Sequence, residues 1–228
     1  GGIVHVRLES SEFSCEGLQI ARLEGHEALG ELFCFDLDLS QVGTGLLSMV
    51  DLAATSAAML GSTATIVFER HGETVRSIHG LITEVDEAID PREDKAAEAG
   101  ALRVRLMPRA FRLGLVELHE VFLNKSIPDI IKEKLERIDL VGDDLEFRLG
   151  GNYPVREFVV QYKETDLAFI TRLCERYGIT YRFEHEDNVD KIVFMDLQSS
   201  FEPIAAHALV SGEGDEIIKD LRSNSRLV

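Results

Sequence analysis

Cysteine is scarce, clustered basic charge is missing and no apolar run is long, and each shortage removes a class of protein. The three cysteines, Cys15, Cys34 and Cys174, lie far apart, with no CxxC pair and no histidine at the spacing of a zinc site. That usage fits a reduced, intracellular origin. Cys34 and Cys174 sit in regular apolar patterns and read as buried thiols without chemistry. No stretch approaches the roughly 20 apolar residues that a membrane helix needs, so stable membrane insertion of this region is not expected. The start, Gly1-Gly2-Ile3, has no basic segment followed by an apolar one, so a secretory signal is absent or already removed.

Bases are outnumbered, 24 Lys and Arg against 41 Asp and Glu, for a net charge of −17. Nucleic-acid binding needs clustered cations to neutralise phosphates, and it is excluded on that ground. The acidic excess serves solubility, or it marks a protein that lines a passage or meets a basic partner; composition leaves these readings open. Motifs are missing too: no GxGxxG after a strand, no GxxxxGK[ST], no GxSxG and no HExxH. The seven histidines are scattered. His26-Glu27, His119-Glu120 and His185-Glu186 repeat a dipeptide without the second histidine that a helical metal site requires, so no metal and no cofactor are expected.

What is present is the composition of a globular protein, 45% hydrophobic and 29% charged, with enough chain for one large or two ordinary domains. Short alternating segments fill the first half. "ELFCFDLDLS" puts Phe33, Phe35, Leu37 and Leu39 on one face and Leu32, Cys34, Asp36 and Asp38 on the other, a strand buried on one side. "STATIVFERHGETVRSIHGLITEVDEAI" predicts two strands joined at His71-Gly72, with Gly80 as a bulge or a close backbone contact. "DLAATSAAML" has helical content, "DPREDKAAEAG" is a polar loop and "ALRVRLMP" a further strand.

Past Pro108 the spacing turns helical. In "NKSIPDIIKEKLERIDL", Ser126 is an N-cap, Pro128 and Asp129 fit the first turn, and Ile127, Ile130, Ile131, Leu135 and Ile138 form an apolar stripe. Lys132 with Glu136 and Glu133 with Arg137 make pairs on the solvated face. The densest stretch, "YPVREFVVQYKETDLAFITRLCERYGITYRFEH" (153–185), opens with a strand carrying Phe158, Val160 and Tyr162 on one side. Thr165 then caps a helix, with Asp166 in its first turn, a stripe of Leu167, Ile170, Leu173, Cys174 and Tyr177, and Gly178 as a left-handed C-terminal cap. "ITYRFEH" and "KIVFMDL" form a hairpin around "EDNVD".

Glu157, Glu164, Asp166 and Glu175 are the acids in this stretch from which a paired-carboxylate hydrolase would have to be built. No pair among them stands out. Together with Lys163 and Arg172 they fall to caps, helix ends and outer faces, so the stretch reads as a folding unit and no catalytic residue is assigned.

The same stretch resembles the most recognisable segment of VgrG proteins, the spikes of bacterial type VI secretion systems. Gln161-Tyr162, Glu164 to Phe169, Arg172-Leu173, Glu175, Gly178-Ile179, Tyr181 and Phe183 carry the resemblance, supported by "HGLITEV" (79–85), "LMPRAFRLGL" (106–115) and "VFLNKSIPDII" (121–131). The resemblance implies an α+β, mainly β, phage tail-hub-like fold: barrel-like antiparallel sheets with an inserted helix-containing subdomain. It implies a first barrel over 1–110, the insert over 111–200 and the opening of a second barrel at 201–228, with an OB-fold and needle to follow. It further implies a structural homotrimer, not an enzyme, that adapts a hexameric Hcp-like inner tube to the needle, meets baseplate and PAAR-like tip proteins, and carries effector cargo. Such a protein waits in the bacterial cytoplasm and is injected on contraction. A contractile phage baseplate hub shares this pattern; a cell-wall hydrolase using Glu164 and Glu175 is the competitor from a different class.

Overall fold

The computed structural model describes residues 3–41, 49–88 and 101–197. Among these, one compact unit holds 3–27 and 33–108, and a second holds 28–32 and 109–197.

In the first unit, strands β1 (Val4–Glu9), β2 (Leu18–His26), β3 (Cys34–Gln41), β4 (Thr63–Arg70), β5 (Glu73–Ala88) and β6 (Ala101–Met107) form one antiparallel sheet in the order β1-β4-β5-β6-β3-β2. The edge strands β1 and β2 also approach within 8 Å between Cα atoms, so the sheet curls into a nearly closed barrel. Period-2 alternation dictates the lining. Phe33, Phe35, Leu37 and Leu39 are fully buried, and Ile66, Ile78, Ile82, Val104 and Leu106 join them. On the outer face of β3, Asp36 and Asp38 stand opposite Arg105 and Arg103 and accept hydrogen bonds of 2.8 Å from each Nε. Cross-strand ion pairs of this kind keep a barrel wall soluble.

The β4–β5 turn is the one read from the sequence: His71 and Gly72 both have positive φ, 54° and 80°, as a tight two-residue hairpin requires. Gly80 is a close contact rather than a bulge. It keeps its ladder partner Ala64, the two register shifts on β5 fall at Val75 and between Ile82 and Glu84, and a Cβ at Gly80 would lie 2.6 Å from the Met107 carbonyl oxygen. Helix α1 (Met49–Met59) covers the "DLAATSAAML" segment. The polar loop 90–100 and the segment 201–228 lie outside the described residues.

The second unit begins with a 3-10 turn, Arg109–Gly114, and continues through β7 (Glu117–Lys125), α2 (Ile127–Glu136), β8 (Leu145–Arg148), β9 (Arg156–Thr165), α3 (Asp166–Tyr177), β10 (Ile179–Glu184) and β11 (Lys191–Asp196). β7 and β9 pair as an antiparallel ribbon; β10, β11 and β8 form a small sheet in which β8 runs parallel to β11. Both helices start where their caps predict. Ser126 Oγ accepts from the Asp129 amide, Thr165 Oγ1 accepts from the Ala168 amide, and Gly178 closes α3 at φ 68°.

The core between helices and strands gathers Ile130, Ile131, Leu135, Phe169, Ile170 and Leu173, with Phe194 from β11. Arg109 anchors the unit's first turn to the hairpin end, donating from its backbone amide and Nε to Asp190, each at 2.6 Å, and from Nη2 to Asp144 at 2.8 Å. The segment Ala28–Leu32 also belongs here: the Gly30 amide donates to the Tyr181 carbonyl at 2.8 Å along the outer edge of β10.

Candidate functional site

β9 enters its ribbon with Lys163 as an extra residue. Leu118 pairs with Glu164 and His119 with Tyr162, so Lys163 is left over as a bulge at φ 47°. Alternation along β9 puts Gln161 on the inner side with Val159, where it is fully buried, and the bulge that follows delivers the chain to the Thr165 cap and Asp166. Asp166 is itself buried beneath α2.

Its partner is Lys134, whose side chain has no solvent exposure. Nζ lies 2.8 Å from Asp166 Oδ1 and 2.8 Å from Glu120 Oε2, and 5.2 Å from the centre of the Phe122 ring. Gln161 Nε2 donates to the same Asp166 oxygen at 2.9 Å and to the Glu164 carbonyl at 3.0 Å. On the solvent side Arg137 donates to both Glu120 oxygens, at 2.6 and 2.7 Å, and to Glu133 at 2.6 Å. The Arg137 hydrogen bonds, with help from Lys134, pull the Glu120 carboxyl down to about 2. A buried ammonium between two carboxylates and aromatic faces ties α2, α3 and the ribbon together. Each of its charges is met by an opposite one within the cluster.

The sequence-level acids are therefore accounted for one by one. Asp166 is held by Lys134; Glu164 is held by Arg172, which also donates to the Val160 carbonyl at 3.1 Å and so covers that edge of β9. Glu157 and Glu175 are exposed. Nothing brings two of them together as acid and base. Of the His-Glu dipeptides, Glu27 pairs with Arg76, His119 packs edge-on against Tyr162 with ring centres 4.9 Å apart, and Glu120 serves the clamp. Among the described residues no cluster of metal-ligating side chains occurs, and no helix is long and apolar enough to cross a membrane. Cys174 is buried, and burial pushes its thiol up to about 12, which makes it inert at neutral pH.

Two features were not legible in the sequence. Lys134 is one, although its place three after Ile131 and four after Ile130 puts it on the apolar stripe, a signal that it is not a surface lysine. The direction of β9 is the other. Phe158, Val160 and Tyr162 do share one side, but that side faces solvent: they are 64%, 39% and 58% exposed, while Gln161 and Val159 point inward. β7 presents its own apolar residues to the same side, with Val121 opposite Val160 and Leu123 opposite Phe158. The ribbon thus shows an apolar face to water, bounded at one end by His119 and Lys163, while at the other end Lys125 turns to Glu133 of α2 and Arg156 to the Tyr177 ring of α3. Contiguous exposed apolar residues rimmed by charge mark a contact surface rather than a catalytic one. Next to Arg156, a pocket of about 310 Å³ opens between Tyr153, Tyr177 and Pro154. Its wall is fixed by Asp196, which accepts from the Gly150 and Gly151 amides and from the Tyr153 hydroxyl, the last at 2.7 Å.

A nearly closed antiparallel barrel followed in the chain by a helix-and-ribbon unit with an exposed apolar face has the make-up of a tail-hub type of structural protein. A solved structure agrees: the E. coli c3393 protein, described as a component of the type VI secretion system with structural similarity to T4 bacteriophage tail proteins gp27 and gp5, superposes with a TM-score of 0.71 at 27% identity, covering 86% of this chain and 50% of that one. Residues 26–227 match the family model for the phage tail baseplate hub (GPD), and the chain belongs to that family. Among curated relatives, the type VI secretion system spike protein VgrG5 of Pseudomonas aeruginosa is 35% identical over 184 residues, 80% of this chain and 21% of its own length. VgrG1c of the same organism is 31% identical over 208 residues, 91% of this chain and 26% of its own length. The chain thus spans about a fifth to a quarter of the relatives it matches. The family and these relatives support a structural role for the region, that of a spike or hub component.

Proposed function

We propose that this region is the hub part of a type VI secretion spike, a homotrimeric adaptor between a hexameric Hcp-like inner tube and a puncturing needle. In this reading residues 1–110 form the first hub barrel, 111–200 the inserted helix and hairpin subdomain, and 201–228 the opening of a second barrel. Baseplate proteins and a PAAR-like tip are its further partners, and effector cargo rides with it. The assembly waits in the bacterial cytoplasm and is injected into a target cell on contraction. No residue of the region acts catalytically and none holds a cofactor or metal.

The observation that carries the reading is the nearly closed six-stranded barrel in a chain with 35% identity to a named spike protein. A ring of curled sheets provides a rigid collar through which force passes from tube to needle, and such a task needs stable walls and contact faces. A contractile phage baseplate hub is the neighbouring reading, supported by the family description; the identity to spike proteins favours secretion. Light scattering and electron microscopy of the full gene product test it. The expected result is a three-fold ring bearing a needle, and a stable monomer of that product overturns the reading.

A further inference from the structure

We propose that the pocket beside Arg156 binds an acidic peptide segment of a partner protein, which inserts one bulky apolar side chain and lays a neighbouring carboxylate against Arg156. All of the lining comes from the helix-and-ribbon unit. Tyr153, Pro154 and Tyr177 form the walls, and Ile127 and Leu197 add aliphatic surface. Its volume of about 310 Å³ has room for one side chain of phenylalanine or leucine size with part of its backbone. Behind Tyr153, Asp196 is buried and receives the Tyr153 hydroxyl and the Gly150 and Gly151 amides, so its charge is met inside the protein rather than offered to a ligand.

Charge selects an acidic occupant. Nearby cations are taken up by acids, Lys125 by Glu133 and Arg172 by Glu164. Arg156 and Arg176 have no acid partner among the described residues; they lie over the Tyr177 ring, their guanidinium carbons 5.2 and 5.8 Å from its centre. A guanidinium over an aromatic face keeps its N–H donors, which point outward in its own plane, for a carboxylate. Strand alternation directs Glu157 to the other side of β9 from Arg156, and Glu175 is turned about 200° round α3 from Tyr177. In a chain with 41 acids against 24 bases, two such arginines beside one cavity make a local positive field in which an anion is attracted. The backbone favours a peptide over a small anion. Asn152, Tyr153 and Pro154 make no backbone–backbone hydrogen bond among the described residues, which leaves main-chain groups along the rim for an extended segment to pair with. Such a site works whatever the number of copies in the assembly.

The test uses the 228-residue chain with its four tyrosines isotopically labelled, titrated by NMR with the peptide acetyl-Gly-Phe-Glu-Gly-amide and with the same peptide carrying Gln or Lys in place of Glu. Spectra of Tyr153→Phe and Tyr177→Phe assign the two pocket signals. The expected result is that the Glu peptide moves both signals, that the Gln peptide binds about fivefold more weakly and that the Lys peptide binds more weakly still. Arg156→Gln, shown to be folded by its circular dichroism melt, should bind the Glu and Gln peptides alike. Signals that no peptide moves, equal binding of the three peptides, or a preference for Glu that survives Arg156→Gln overturns the proposal. Sodium acetate that moves the same signals to the same extent overturns a peptide site in favour of a bare anion site. Phe201→Ala separates an external partner from the chain's own Phe201-Glu202, which follows Leu197 in the sequence. Peptide binding that appears only in that variant assigns the pocket to the chain itself and overturns an external partner. The hub reading stands under each of these results and is judged by the ring test on the full gene product.

Discussion

Lys134 Nζ lies 2.8 Å from Asp166 Oδ1, so the third turn of α2 is joined to the first residue of α3 by an ion pair whose lysine is fully out of water. Taking one charge away leaves the other buried and unmatched. Lys134→Met should destabilise the fold by about 3–5 kcal/mol, read as a lower urea midpoint at an unchanged slope. Adding Asp166→Asn to it should return much of the loss, since the unmatched carboxylate is then gone, whereas Glu120 keeps Arg137 as its partner. Equal stability of Lys134→Met and wild type would show that the pair does not exist in solution.

Glu120 gives the clamp its pH dependence. Its carboxyl titrates near 2 in the folded chain, held down mainly by Arg137, against 4.5 for an unperturbed glutamate. A depressed carboxylate stabilises fully above the unfolded value and loses that contribution as pH falls. The loss should thus appear between about pH 4.5 and pH 2 and, after allowance for its partial exposure, amount to about 1–2 kcal/mol. Thermal melts at successive pH values should fall less steeply through this window in Glu120→Gln than in the wild type. Parallel curves would remove Glu120 from the account.

Gly80 and Gly72 are both glycines for different reasons, and alanine should separate them. At Gly80 the new methyl meets the Met107 carbonyl at 2.6 Å, backbone against backbone across β5 and β6, so the sheet has to part. The expected cost is about 1–3 kcal/mol or more. At Gly72 there is open space but φ is 80°, and the cost is the left-handed strain alone, about 1 kcal/mol. Chemical denaturation of both variants checks the order; a milder Gly80→Ala would mean that β5 and β6 are not so closely apposed.

Leu173 is 2% exposed at the centre of the α3 stripe, whereas Glu175 faces water. Leu173→Ala should cost about 2–5 kcal/mol and Glu175→Gln close to nothing. The second result also bears on chemistry. Peptidoglycan hydrolysis that disappeared with Glu175→Gln would contradict a structural role for this region.

Local signals carried well from sequence to structure, and long-range ones did not. The caps Ser126, Thr165 and Gly178 and the His71-Gly72 turn are decided by a few adjacent residues, so their chemistry is readable in place. The face of β3 is equally plain, because Phe33 to Leu39 alternates without interruption. β7 escaped notice: "ELHEVFLNK" buries only Phe122 and turns Val121 and Leu123 outward, which inverts the usual sign of the pattern. The same inversion hid the orientation of Phe158, Val160 and Tyr162. Lys134 needed knowledge of Glu120, 14 residues before it, and of Asp166 on the next helix. A charge on an apolar stripe can be recognised, but its partners are fixed only by the fold.

The short excursion at Ala28–Leu32 has a consequence for how this molecule can be taken apart. The chain lends Gly30 to the rim of β10 before it resumes the barrel at Phe33, so the helix-and-ribbon unit is assembled from two separate stretches. A single cut near residue 109 does not release that unit whole; it strips a backbone partner from Tyr181. The two bodies are therefore not interchangeable cassettes. A chimera that exchanges one of them between related hubs has to carry residues 28–32 with it, or an open strand edge becomes a site for aggregation.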